Sequence, residues 1–153
     1  MANSIRETII LKFLSLAAGI TVANGYNTNM GSNVCRAEAQ IDEASLPAVN
    51  VIPGAEEAVQ EYTKDHITAT VQLEGFVKHG TSNSSVIAEQ ILADLRKRFT
   101  LAATVVSEFW PICQSVRYLG GGSNTYASAG AEVTGFMIQV EVRYITLEGN
   151  PYA

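Results

Sequence analysis

The chain has 153 residues, of which 47% are hydrophobic and 16% are charged, and its formal net charge is −5 at pH 7. This length corresponds to about one domain, and a chain of this size buries roughly 68% of its unfolded surface. Its core therefore needs no disulfide or metal ion to stabilise it. The hydrophobic content excludes disorder, and the negative charge with scattered Lys and Arg residues argues against non-specific nucleic-acid binding.

The first predicted element is an amphipathic helix. Ser4 and Glu7 have the spacing of a capping box, in which each side chain satisfies a backbone amide of the first turn. Apolar residues then recur every three or four positions over residues 5–20, which predicts one buried helix face that ends before Gly25.

The same segment needs a check for targeting signals, because its apolar run resembles the core of a signal peptide. Glu7 offsets Arg6, and Lys12 interrupts the run, so we expect no secretory leader. The run is also too short and too interrupted for a membrane span, which needs about 20 apolar residues.

Short strands separated by turns are predicted next. The stretch NGYNTNMGSN is typical of a turn-rich loop, NVCRAEAQ of a short strand, and AVNVIPG of a second strand that Pro53 and Gly54 break. Glu56, Glu57 and Glu61 follow, and we assign this acidic stretch to a helix start or a surface loop rather than to a catalytic acid/base pair.

A long strand and a second helix occupy the middle of the chain. DHITATVQLEGFVKHG alternates apolar and polar residues, which predicts a half-buried strand. TSNSS supplies possible N-caps, and an apolar stripe over residues 87–106 predicts a helix that lies on the sheet. Arg96, Lys97 and Arg98 fan around this helix, which favours a solvated face over a nucleic-acid patch.

The remaining chain predicts a hairpin, with one strand in ICQSVRYL, a flexible tip from Gly120 to Gly130, and a long final strand in FMIQVEVRYITLEGNPY. The tip lacks the following helix that a phosphate loop requires. The predicted order is α-β-β-β-α-β-β over a single domain, residues 1–153. This is an α+β fold in which an antiparallel or mixed sheet carries two helices, most simply on one face.

The two predicted strands DHITATVQLEGFVKHG and FMIQVEVRYITLEGNPY are long relative to the size of the domain. A strand of about twelve residues spans roughly 40 Å at ~3.3 Å per residue, whereas a domain of this size has a radius of gyration of only ~15 Å. These strands must therefore cross the domain or overhang it, and overhanging ends are usually covered, charged or paired with another chain. We expect a homo-oligomer with contacts between the sheets of its subunits.

The residue types that carry catalysis are sparse. His66 and His79 flank one strand too far apart to share a metal ion, which favours solvated strand-end histidines. Cys35 and Cys113 lie in apolar, strand-like context and are predicted to be buried thiols rather than a disulfide. We expect no catalytic, metal or cofactor site, and we assign Trp110 to core or helix-end packing.

The order of several segments resembles a known family, namely SIRETIILKFLSLAAGI, GYNTNMGSNVCRA, LPAVNVIPGAEE, SSVIAEQILADLRKRF and VEVRYITLEGNPYA. Over nearly the whole chain it is similar to the tail terminator (tail completion) proteins of long-tailed bacteriophages and related prophages. The resemblance implies a virion structural protein that forms a hexameric ring on the tail tube, stops its polymerisation and offers a docking surface to the head connector.

The same resemblance implies the partners and the location. The partners are further copies of the chain, the tail tube protein and a head-tail connector or neck protein, at the tail-neck junction after assembly in the host cytoplasm. DNA would pass through the ring without specific binding, and no membrane is involved.

The resemblance supplies no list of site residues, so the candidate interface is chosen by physical argument. It comprises the tip from Gly120 to Gly130, the polar face of the final strand, the C-terminal tail, and two arginines for ion pairs between subunits. For each of them, a plain solvated role is at least an equal alternative. The candidates are Arg36, Arg117, Gly120, Gly121, Gly122, Tyr126, Glu141, Arg143, Asn150, Pro151 and Tyr152.

Three alternatives stay open. Another neck component, such as a head-tail connector or head-completion protein, would differ in ring stoichiometry and in its position in the particle. A small enzyme on an α+β scaffold would reveal itself by a ligand-dependent melting shift. A secreted adhesin-like module would have a cleaved N-terminus.

Overall fold

A computed structural model describes residues 2–100, 109, 111–124 and 132–153. The helices and strands of this part are, in chain order, α1 (Ile5–Ala17), β1 (Val34–Arg36), β2 (Ala48–Glu61), β3 (Lys64–Lys78), α2 (Ser84–Phe99), β4 (Ser115–Asn124) and β5 (Val133–Leu147). The predicted α+β class and the order α-β-β-β-α-β-β are confirmed.

The strands form one mixed sheet in the order β1-β2-β3-β5-β4. β1 runs parallel to β2, and every other neighbouring pair is antiparallel. The central pair of β3 and β5 aligns Ile67 with Tyr144 and Leu73 with Ile138. Because side chains alternate across a strand, this register gathers the apolar residues of both long strands on one face.

The core lies between this apolar face and both helices. Phe13 of α1, Phe99 of α2 and Phe109 are fully buried, and the Phe13 ring lies 5.7 Å from that of Phe99 and 4.8 Å from that of Phe109. Residues of both helices and of the apolar face belong to one buried cluster, so the helices share a face of the sheet, as predicted. In the described part of the chain, neither helix has the length and apolar character needed to cross a bilayer.

The opposite face of the sheet, here called the open face, carries no helix from the described residues. The connector between β1 and β2 covers one end of it, where Ile41 packs on Ala48 and Phe76. Buried Asn50 holds this connector, since its amide accepts from the Glu38 backbone N–H at 3.2 Å and donates to the Glu38 carbonyl at 2.9 Å. The remainder of the open face bears polar side chains such as Thr70 and Gln72 and some apolar ones such as Met137 and Ile145.

β2 runs past Pro53 and Gly54, where a break was predicted. The register with β3 shifts between Pro53 and Glu56, as in a β-bulge, and pairing then continues to Glu61. Proline fits because its nitrogen faces the outer edge of the sheet. The neighbouring strand β1 pairs only with the three residues Val49–Val51, so no ladder bond is lost at Pro53.

The assignment of Glu56, Glu57 and Glu61 to a helix start or loop was therefore wrong. All three lie on β2, paired with Ala69, Thr68 and Lys64 of β3. Hydrogen bonding to the long, regular strand β3 overrides the weak strand preference of glutamate.

β4 also extends further than predicted. The sequence predicts a strand that ends at Leu119, followed by a flexible tip, but β4 continues through Gly120, Gly121 and Gly122 to Asn124, with a register shift between Tyr118 and Gly120. Pairing with β5 supplies order that glycine does not favour by itself. The rest of the predicted tip, including Tyr126, and also Trp110 lie outside the described residues.

The Asn-rich loop after α1 is anchored by Asp94 of α2, which is 1% exposed. Its carboxylate accepts from the backbone and side-chain N–H groups of Asn27 at 2.9 Å and from the backbone N–H and hydroxyl of Thr28 at 2.8 and 2.7 Å. Sequence reasoning missed this anchor, because an aspartate in a helix next to basic residues looks like part of the solvated face.

The basic residues that follow fasten α2 to its surroundings. Arg98 donates from Nε to the Leu16 carbonyl at 2.7 Å, at the end of α1, and is partly buried. Arg96 and Lys97 are exposed, as predicted, although Lys97 donates to the Gly25 carbonyl at 2.7 Å. The prediction of a solvated face is therefore confirmed for two of the three residues.

Candidate interface

The β2–β3 hairpin extends beyond the helix layer. Residues 55–64, here called the arm, are exposed on both faces of the sheet. A two-residue turn at Tyr62 and Thr63 closes the arm; Tyr62 has a left-handed φ of 57° and is 91% exposed. Val59 is 68% exposed. The arm belongs mainly to β2, whereas a crossing or an overhang was expected for β3 and β5, which pair with each other from Lys64 and Leu147 to Lys78 and Val133. The arm places apolar side chains in solvent.

A charged network fixes the base of the arm. The Arg6 guanidinium donates to the Glu56 carboxylate and to the Gly54 carbonyl, and the buried Tyr144 hydroxyl donates to Glu56 at 2.9 Å. Hydrogen bonding to Arg6 lowers the pKa of Glu56. Burial, with a further contribution from Glu56, raises the pKa of Tyr144 to about 12. The arm is thereby tied to the first turn of α1.

A cleft of about 410 Å³ lies beside this network, between the arm and the C-terminal tail. The tail folds back on its own chain: the Pro151 carbonyl accepts from the Ile5 N–H at 2.9 Å, and the Asn150 side chain accepts from the Tyr152 N–H at 3.1 Å. Pro151 thus satisfies one of the free amides at the start of α1. The Tyr152 side chain is 60% exposed.

Three candidate residues form a cluster on the open face. Arg117 of β4 donates to Glu141 of β5 at 3.1 Å, and Arg143 of β5 donates to the same carboxylate at 3.0 Å. The Glu141 side chain is only 12% exposed, whereas both arginine side chains are more than half exposed. Two cations share one anion, so this cluster of three residues has an excess of one positive charge.

Arg36 has its partner within the chain. Its guanidinium donates to both carboxylate oxygens of Glu7, at 2.7 and 2.6 Å, and this hydrogen bonding lowers the pKa of Glu7. The pair joins β1 to the first turn of α1. The Ser4 hydroxyl accepts from the Glu7 N–H at 3.1 Å, which confirms the capping serine. Because Arg36 already has Glu7 as a partner in its own chain, it no longer gives a reason to expect an ion pair between subunits.

The three glycines of β4 differ in their surroundings. A Cβ atom on Gly121 would collide with the Met137 carbonyl oxygen, so the neighbouring strand requires glycine there. Gly120 has a φ of 140°, which favours glycine for backbone reasons. Gly122 has neither constraint, and no atom of the described residues lies within 4 Å of the Cβ position at Gly120 or Gly122. No side chain from the described part of the chain therefore covers β4 at these two residues.

The histidines and cysteines lie apart. His66 Nε2 is 3.4 Å from Glu61, and His79 Nδ1 is 2.9 Å from the Thr134 hydroxyl. Cys35 and Cys113 are free thiols, and burial raises the pKa of Cys113 to about 11. Among the residues that the structure describes, no group of three or more His, Cys, Asp and Glu side chains is placed to hold a metal ion.

In comparisons with known proteins, no protein-family model matches the chain, and no curated protein matches it significantly.

Proposed function

We propose that this chain is a virion structural protein of the tail terminator type. Copies of it form a ring, with six as the expected number, that caps the tail tube of a long-tailed bacteriophage. The ring stops polymerisation of the tube and provides the docking surface for the head connector. Two observations support this proposal. The first is the resemblance of several sequence segments to tail terminator proteins, and the second is the projecting arm.

The arm is the observation that carries the proposal. Strand ends that overhang a domain have backbone groups that need cover, charge or a partner chain. The arm is acidic, with Glu56, Glu57 and Glu61, and it also exposes Val59 and Tyr62. These two side chains offer a second chain apolar surface that would leave water on assembly.

The proposed mechanism is geometric. A ring of identical subunits uses one heterologous contact that closes on itself. One ring face binds the last tube subunits, and the other lacks a tube-like surface, so growth ends there. Six copies at −5 each carry about −30 formal charge. A negative lumen repels phosphate groups and lets DNA slide through.

Electron microscopy of lysates from the parent phage or prophage with this gene disrupted tests the proposal. Overlong tails without heads, or polytubes, are the expected result. Tails of normal length that fail to join heads would replace the terminator by a connector. Intact infectious particles would reject both structural roles.

A further inference from the structure

The sheet has two open edges in the described part of the chain. β4 is the last strand on one side. On the other side, β1 pairs with Val49–Val51, and the arm extends past it with no neighbouring strand from the described residues. Unpaired strand edges of this length are a risk for aggregation unless another chain covers them.

The hydrogen-bond pattern identifies the free groups of the arm. The Val49 N–H donates to Asn33 on the β1 side of β2. Amides alternate in direction along a strand, and following the register through the bulge directs the backbone groups of Glu56, Ala58 and Gln60 outward. The Glu61–Lys64 pair next to the turn then bonds inward, as a two-residue hairpin requires.

The free groups of β4 follow in the same way. The Glu148 N–H donates to the Thr63 carbonyl, which sets the alternation between β5 and β3. Carrying this alternation across β5 directs the backbone groups of Val116, Tyr118 and Gly121 away from the sheet. Each edge thus presents donors and acceptors in the alternation that an antiparallel ladder uses.

Strand direction also suits a contact between the two edges. In the order β2-β3-β5-β4, each neighbour is antiparallel to the next, so β2 and β4 run in opposite directions. A second copy that continues the sheet sideways would place its arm antiparallel to β4. Such a contact joins two different edges, so it is heterologous and can close into a ring.

The charges of the two edges are complementary. β2 contains three glutamates and no Lys or Arg, whereas β4 contains Arg117 and no acidic residue. Glu57 aligns with Thr68 of β3, and Thr68 aligns with Arg143 of β5, so these three side chains point to the same face of the sheet. Arg117 lies beside Arg143 on this face, so Glu57 and Arg117 both point to the open face. Among the described residues Glu57 forms no ion pair, whereas Arg117 shares Glu141 with Arg143.

We infer that neighbouring copies of this chain join edge to edge, with the arm of one copy hydrogen-bonded antiparallel to β4 of the next and Glu57 facing Arg117 across the contact. The bare positions Gly120 and Gly122 allow side chains of the arm to approach closely. The inference rests on the proposed ring and names the surface that would build it.

A charge exchange tests the side-chain part of the contact. Glu57→Arg and Arg117→Glu should each weaken self-association about tenfold, because each places like charges together. The double variant should restore association, measured by light scattering over a concentration series. Equal association of all four proteins overturns the Glu57–Arg117 contact. A wild-type chain that stays monomeric at every concentration overturns the whole inference.

A proline tests the backbone part. Ala58→Pro removes an outward N–H from an exposed edge position, so the monomer should keep its circular dichroism spectrum while association is lost. Ala58→Val keeps the N–H and is the matched control. If Ala58→Pro associates as the control does, the edge pairing is wrong.

These outcomes are separate from the gene disruption. Overlong tails together with rings that tolerate Ala58→Pro would leave the terminator role intact and remove the edge pairing. Normal particles after the gene disruption, together with association that Ala58→Pro abolishes, would keep the edge pairing and reject the terminator role.

Discussion

Replacing Asp94 by alanine should destabilise the protein strongly. The carboxylate is 1% exposed and accepts from the backbone amides of Asn27 and Thr28 and from the buried Thr28 hydroxyl, at 2.7 to 2.9 Å. The substitution leaves these three donors, and also the Asn27 side-chain N–H, without their acceptor. A buried donor that loses its partner costs about 1–3 kcal/mol, and removing one member of a buried charged network costs about 3–5 kcal/mol in total.

The assay is urea unfolding followed by circular dichroism, with thermal melting in parallel. A loss of ~3–5 kcal/mol is a large part of the roughly 5–15 kcal/mol that stabilises a domain, and it corresponds to a fall in Tm of about 10 °C. Asp94→Asn retains one acceptor oxygen and should lie between the wild type and Asp94→Ala.

Glu89→Ala is the matched control, because Glu89 is an exposed carboxylate on the same helix. It should change the free energy of unfolding by less than about 0.5 kcal/mol. If Asp94→Ala is no more destabilising than this control, then Asp94 does not anchor the loop, and the account of its burial is wrong.

Three further predictions concern the same fold. Gly121→Ala should cost about 1–3 kcal/mol in urea unfolding, because its Cβ meets the Met137 carbonyl, whereas Gly122→Ala should cost less than about 0.5 kcal/mol; equal effects would contradict the β4 register. Tyr144 has its pKa raised from 10.0 to about 12, so its contribution to stability should be complete below pH 10 and lost as the pH rises through about 12. Tyr144→Phe should lack that alkaline loss when stability is followed against pH, and a parallel decline in both proteins would contradict the assignment. Arg36→Ala should cost less than about 1 kcal/mol at neutral pH, since the pair with Glu7 is partly exposed. Because Arg36 lowers the pKa of Glu7, the difference from wild type should vanish as the pH falls through that pKa, and a difference that persists in acid would mean that Arg36 acts by packing alone.

The role of the candidate residues is changed by their partners. Arg36 and Arg117 were chosen for ion pairs between subunits, yet each has a carboxylate partner in its own chain, Glu7 and Glu141. Arg117 shares Glu141 with Arg143, so one carboxylate balances two positive charges. Arg117 therefore keeps a role in the proposed contact. Arg36 instead becomes a brace between α1 and β1, so it is the weaker candidate for an interface.

Local patterns determined much of the fold. Alternation over β3 and β5, the helical stripes of α1 and α2, and the capping serine Ser4 predicted the elements and their order. The sequence contains these signals because burial of one face of a helix or strand requires apolar residues at a regular spacing. A short window of sequence is enough to detect that spacing. The length of the two central strands likewise predicted that they cross the domain or overhang it, because the span of a strand follows from its number of residues alone.

Tertiary structure decided what depends on residues far apart in the chain. Pro53 continues in a strand because β1 stops short beside it, and Gly120 to Gly122 lie in a strand because β5 pairs with them. Asp94 is an anchor because folding brings it to Thr28, 66 positions away. Propensity and periodicity describe a residue and its near neighbours, whereas these outcomes come from hydrogen bonds between distant segments, which no local window contains.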